Sequence, residues 1–144
     1  RVQIVTVFGR VNLNGKESAA LKFKLDDLTD ILDRRSYGPG KVIFREGQSA
    51  STAFIVLEGQ VELTVGAGDD TKFLTSVVPG QMFGELALTI GRDRTATAST
   101  MGGCAVLVLP ASSVKSKLDK ADPFLRYWIE YLMERVVDLS SRVD

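Results

Sequence analysis

Hydrophobic and polar positions along the chain change period several times. The first segment, Val2-Gln3-Ile4-Val5-Thr6-Val7-Phe8, is rich in β-branched and aromatic residues, which predicts a strand, and Gly9 with a polar Asn-Leu-Asn-Gly ends it. Over residues 17–35 the apolar positions fall at Leu21, Leu25, Leu28, Ile31 and Leu32. Those steps of four, three, three and one make one helical stripe. Asp26 is placed to cap a fresh start within that segment. From Tyr37 the pattern is that of short strands between Gly/Pro turns. Tyr37-Gly38-Pro39-Gly40 reads as a turn, and residues 41–44, 53–57, 60–65, 72–78, 95–100 and 104–109 read as strands. Gln60-Val61-Glu62-Leu63-Thr64-Val65 alternates as a half-buried strand should. Beyond Pro110, residues 111–118 form a short helix, and Asp122-Pro123 is an N-cap followed by proline at the first helical position. The last helix carries Leu125, Trp128, Ile129, Leu132, Met133, Val136 and Val137 on one stripe, with Leu139 and Val143 beyond, and is expected to lay that face on the strands. Short strands at regular spacing predict a sandwich or barrel.

One stretch carries candidate chemistry. In Phe83-Gly84-Glu85-Leu86-Ala87-Leu88-Thr89-Ile90-Gly91-Arg92-Asp93-Arg94-Thr95-Ala96-Thr97-Ala98, a glycine and an acid open an apolar helical turn, and an arginine heads an alternating Thr/Ala strand. Gly84 permits close backbone approach because it lacks a Cβ. The free N–H groups of Leu86 and Ala87 at the start of a helical turn suit a phosphate. Arg94 adds a planar, permanently charged fork for two phosphate oxygens. Glu85 beside a phosphate makes sense as the acceptor for a neighbouring sugar hydroxyl. Phosphate and ribose side by side describe a nucleotide. The blander reading makes Glu85 and Arg94 a surface ion pair and the glycines mere turns.

Phe-Gly-Glu-Leu-Ala-Leu, a short loop, then Arg-Thr-Ala-Thr resembles the phosphate-binding cassette of the cyclic nucleotide-binding domains. Tyr-x-Pro-Gly-x-x-Ile-Phe-x-x-Gly ahead of a run of strands resembles the same family. The resemblance implies a mainly β fold with flanking helices. Its centre is a β roll, a jelly-roll-like double-stranded β-helix, with a helix before it, a short cassette helix and a C-terminal helical pair. It implies a cyclic nucleotide-binding domain over residues 24–144. Residues 1–23 are then an extra N-terminal segment, either a strand plus linker or the remnant of a preceding domain. By resemblance Glu85 binds the ribose 2′-hydroxyl and Arg94 the cyclic phosphate, while Gly84, Glu85, Leu86, Ala87 and Ala96 line that phosphate. Thr95 faces the region where base and phosphate meet. A hydroxyl there is frequent in cyclic-GMP sites and also occurs in channels answering to cyclic AMP. Cyclic AMP is placed first, cyclic GMP next, because cyclic AMP is the commoner ligand of the family. Asp93 stands where many members have proline, so it can pair with Arg92 or Arg94. The terminal helix is expected to move on binding, with an aromatic of that helix or Met133 closing over the base.

Composition narrows the alternatives. A chain of 144 residues with 44% hydrophobic and 25% charged residues fits one globular domain. Zero formal net charge gives no support for nucleic acid or an anionic membrane as partner. No apolar run approaches the ~20 residues of a membrane helix, and no secretory signal is evident. The single Cys104 cannot form an internal disulfide and lies in an apolar run, so a buried structural thiol in a reducing cytoplasm is expected. A cytoplasmic segment of a membrane protein fits equally. The chain has no histidine, which excludes Ser-His-Asp and Cys-His catalysis and His-ligated metals. No catalytic residue, metal or cofactor other than the nucleotide ligand is therefore expected, and the chain is not expected to be an enzyme. Because it begins at Arg1, it is expected to be a piece of a longer protein whose effector lies elsewhere. Two readings stay open: a cyclic-nucleotide sensor, and a non-binding roll used for protein interaction or homodimerisation.

Overall fold

The computed structural model describes residues 28–29, 31–88 and 93–141. The N-terminal strand and most of the helix expected over residues 17–35 lie outside them. Within them, β1 (Asp33–Tyr37), β2 (Lys41–Phe44), β3 (Thr52–Gly59), β4 (Val61–Val65), β5 (Lys72–Val77), β6 (Met82–Phe83), β7 (Thr97–Thr100) and β8 (Cys104–Pro110) precede two helices, α1 (Ala111–Asp119) and α2 (Pro123–Ser141). Short 3-10 turns lie at Gly68–Asp70 and Glu85–Leu88. The strands form two four-stranded antiparallel sheets, in the orders β1-β8-β3-β6 and β2-β7-β4-β5. This is the jelly-roll arrangement expected.

Packing between the sheets explains why the apolar runs read as they do. Cys104, Val106 and Val108 of β8 and Phe54 and Val56 of β3 meet Val61 and Leu63 of β4, Val77 of β5 and Ala98 of β7 in one core. Ala105 and Leu107, on the other face of β8, are buried as well. A strand covered on both faces needs a continuous apolar run and not an alternating one. Three phenylalanines close one end of this core. Phe54 pairs with Phe83 across β3 and β6, their ring centroids 5.1 Å apart, and Phe44 reaches both from the other sheet at 6.0 Å. Offset aromatic packing at such distances adds to the large area these rings bury.

Three expectations need correction. Residues 33–35 are not helical. After a turn in which the Ile31 and Leu32 N–H groups both donate to the Leu28 carbonyl at 3.1 Å, the chain enters β1. The helical stripe ends at Leu32, leaving Asp33-Arg34-Arg35-Ser36 without an apolar anchor, and the edge of β8 supplies backbone partners from Asp33↔Val108 to Tyr37↔Cys104. An edge strand rich in charge is normal for a sheet that must not recruit another chain. The second correction is β6, a short strand leading into the cassette segment that was not evident in the sequence; the short cassette helix itself is present as a 3-10 turn.

The third correction concerns α2. Asp122 caps it as expected, its Oδ1 accepting from the N–H groups of Phe124 at 2.9 Å and Leu125 at 3.3 Å. Among the described side chains, however, its stripe is not laid on the roll: Trp128 is 52% exposed, and Leu125, Ile129 and Leu132 are exposed too, as are Phe124, Tyr127 and Tyr131 beside the stripe. The aromatics stack along the helix instead, Phe124 on Trp128 at 6.5 Å and Tyr127 on Tyr131 at 6.4 Å. The helix that lies against β8 and the Glu85–Leu88 turn is α1, tied at its start by the Ala111 N–H donating to the Ser51 carbonyl at 2.8 Å.

These burial differences have a direct test in chemical denaturation. Phe83→Ala, which empties a fully buried position, is expected to lower stability by about 3–5 kcal/mol. Phe124→Ala is expected to change it by no more than about 0.5 kcal/mol, as for other exposed positions.

Candidate functional site

The candidate site forms where β6, the Glu85–Leu88 turn and the approach to β7 meet the loop between β2 and β3. Met82 and Phe83 pair with Ile55 and Phe54 of β3, which fixes the height at which the chain leaves the sheet. Gly84 follows with φ +73, in the region L side chains avoid. A Cβ there would stand 2.8 Å from Arg94 Nη1 and 3.4 Å from the Phe44 ring. Glycine is thus required by backbone conformation and by the closeness of the arginine.

Arg94 is anchored at both ends. Its backbone N–H donates to the Gln48 carbonyl and its own carbonyl accepts from the Gly47 N–H, both at 2.8 Å. Its side chain is only 8% exposed. The guanidinium carbon lies 3.9 Å from the Phe44 ring centroid and 5.8 Å from that of Phe54. Nη2 donates to Thr52 Oγ1 at 3.1 Å, whereas Nε and Nη1 are buried without a partner among the described residues. Burial pushes the arginine pKa down from its ordinary value, yet a guanidinium stays charged in proteins.

Glu85 opens the 3-10 turn and is also largely buried, with Oε2 unpartnered among the described residues. Burial pushes its carboxyl from the ordinary 4.5 up to about 7, against a smaller opposing effect of a hydrogen bond from its own backbone N–H. Near neutrality the group therefore exchanges a proton, which softens its repulsion of an adjacent anion and lets it donate as well as accept. The ion pair expected on the blander reading does not form. Among the described residues Arg34–Glu58, at 3.2 Å on the exposed edge of β1, is the one ion pair. A buried cation and a partly buried acid in one short segment, not joined to one another and each with a buried polar atom unpartnered among the described residues, make this the candidate site.

A family model for the cyclic nucleotide-binding domain matches residues 34–121. The chain belongs to that family. The cAMP-dependent protein kinase type II regulatory subunit of Drosophila melanogaster is 34% identical over 77 residues, covering 54% of this chain and 20% of that one. A cGMP-dependent protein kinase of the same organism, isozyme 2, is 31% identical over 113 residues, covering 75% of this chain and 12% of its own. The chain thus spans a fifth or less of these curated relatives. The Thermus thermophilus catabolite activator protein shares the fold, with a TM-score of 0.65 at 24% identity over 83% of this chain and 56% of that one. Domains of this family are regulatory modules, and among the described residues no helix is long and apolar enough to cross a membrane.

The structure brings together only part of the residues expected at a cyclic-nucleotide site. Gly84 lies directly against the Arg94 guanidinium, Glu85 follows Gly84 in the chain, and Ala96, two residues past Arg94, is buried. Leu86 and Ala87 belong to the 3-10 turn. Thr95 is exposed. Asp93 is exposed and does not pair with Arg94, and Arg92 lies outside the described residues. Cys104 is buried, its thiol pKa raised by burial, as expected of a structural cysteine. Phe44, Thr52 and the Gly47–Gln48 backbone were missed as parts of the site. No local pattern marks them, because each acts through a contact about forty or more positions away in sequence.

The Glu85 carboxyl makes stability depend on pH in a defined sense. The folded chain keeps this proton up to about pH 7, and the unfolded chain releases it near 4.5. The unliganded protein therefore loses stability as pH rises through that window and loses no more above it, by roughly 3 kcal/mol at most. Denaturation at pH 5 and pH 8 should show a smaller fall for Glu85→Gln than for the native chain. An equal fall in both would mean that Glu85 titrates normally.

Proposed function

We propose that this domain is a regulatory sensor for a cyclic nucleotide monophosphate, cyclic AMP first and cyclic GMP next, and that it forms part of a larger protein. The observation that carries the reading is the pair of buried polar groups that are not joined to one another, Arg94 Nε and Nη1 and Glu85 Oε2, all without a partner among the described residues. A cyclic phosphate supplies anionic acceptors for the first, and the adjoining ribose 2′-hydroxyl supplies a partner for the second. The N–H groups at the start of the Glu85–Leu88 turn add donors to the phosphate, and the absent Gly84 Cβ leaves room beside Arg94. The names of the kinase relatives favour the same two ligands. Signalling runs through the C-terminal helices. α1 lies against the Glu85–Leu88 turn, so ligand that draws the turn inward re-seats α1 and, with it, α2. The exposed face of α2 is then free to cover the base or to meet an effector in the parent protein.

The exposed aromatics of α2 also favour a second reading, an interaction or homodimerisation module that does not bind nucleotide. Calorimetric titration with cyclic AMP and cyclic GMP separates the two. The native chain should bind at least one, and Arg94→Ala should cost about 2–5 kcal/mol, tens- to thousands-fold in affinity. No heat with either ligand, together with a concentration-dependent dimer in sedimentation, would instead establish the module.

A further inference from the structure

Charge placed in a protein interior is ordinarily met by an opposite charge. Arg94 is an exception. Every described partner of its guanidinium is neutral: the Phe44 ring at 3.9 Å, the Phe54 ring at 5.8 Å and the Thr52 hydroxyl at 3.1 Å. The loop that presents Thr52 is itself tied down. The Arg45 N–H donates to Gln48 Oε1 at 2.8 Å and the Gln48 N–H to the Arg45 carbonyl at 3.1 Å. The Glu46 N–H donates to Thr97 Oγ1 at 2.9 Å, and Glu46 Oε1 accepts from the Gly66 N–H at 2.9 Å. Glu46, the acid carried by this loop, is thus turned toward the β4–β5 turn, where its carboxylate is occupied. The same loop grips the Arg94 backbone through Gly47 and Gln48.

We infer that Thr52 and Phe44 are positioning residues that hold the Arg94 guanidinium in place without neutralising it. The Thr52 hydroxyl satisfies Nη2, and the face of Phe44 stabilises the cation through the ring quadrupole while barring water from one side. Neither group cancels the charge, so an entering anion meets a fixed cation and displaces no carboxylate of the described residues. Its affinity then benefits twice, from a side chain already ordered and from low local dielectric. Gly84 completes the arrangement, since a Cβ at that position would press on Nη1. The geometry stands independently of the ligand, and its consequence for affinity rests on the cyclic-nucleotide reading above.

The test uses the whole chain with two substitutions at one position. Thr52→Val keeps the shape and removes the hydroxyl, and Thr52→Ser restores it. Nitrogen-15 NMR of the unliganded protein should show Arg94 side-chain signals set apart by the Phe44 ring, with rotation slowed about the bond from the guanidinium carbon to Nη2. Thr52→Val should speed that rotation and merge the Nη signals, and Thr52→Ser should keep them separate, with unfolding midpoints recorded for all three proteins. In titration with cyclic AMP and cyclic GMP, Thr52→Val should weaken binding by about ten- to 150-fold, the range for one lost hydrogen bond to a charged group, and Thr52→Ser by no more than about twofold. Arg94 signals unchanged by Thr52→Val, or not restored by Thr52→Ser in a protein of native midpoint, would overturn the inference. A held guanidinium in a native chain that binds neither nucleotide would sink the sensor reading and leave the positioning role standing.

Discussion

The structure depends on keeping a charged guanidinium inside a small β roll where no described residue supplies a counter-charge. Desolvating a cation is costly, and the arrangement persists because the rest of the fold over-determines it. The Arg94 backbone is bonded at N–H and carbonyl to one loop, its side chain is stacked on Phe44, and its nearest hydroxyl comes from the start of β3. Phe44 in turn is set by the aromatic cluster with Phe54 and Phe83 that bridges the two sheets. The hydrophobic core and the binding group are therefore one mechanical unit, and a disturbance of the phenylalanines is felt by the arginine.

Glu85 faces the complementary problem. Its carboxyl is buried and responds by holding a proton near neutrality. It forms no ion pair with Arg94, and among the described residues each group keeps unsatisfied polar atoms.

The C-terminal helices divide their tasks. α1 touches the cassette turn and β8, whereas α2 extends from it with its aromatics stacked on one another and exposed. Large apolar side chains left exposed on a helix add little to the stability of the roll itself.

Much of this protein was legible in the sequence because it is written in local rules. Gly/Pro turns between short apolar runs set out the roll, Asp122-Pro123 marked the start of α2, and the run from Phe83 to Ala98 pointed to the family and to Glu85 and Arg94 as its candidate polar groups. Tertiary structure decided the rest. Residues 33–35 became a strand because β8 offered them an edge, α2 kept its period but lost its expected cover, and Thr52 and Phe44 joined Arg94 from distant positions. Periodicity and turn chemistry act over a few residues, so the chain states them outright. What covers a face, or which neutral group steadies a buried charge, is settled only when segments far apart in sequence come within a few ångströms of one another.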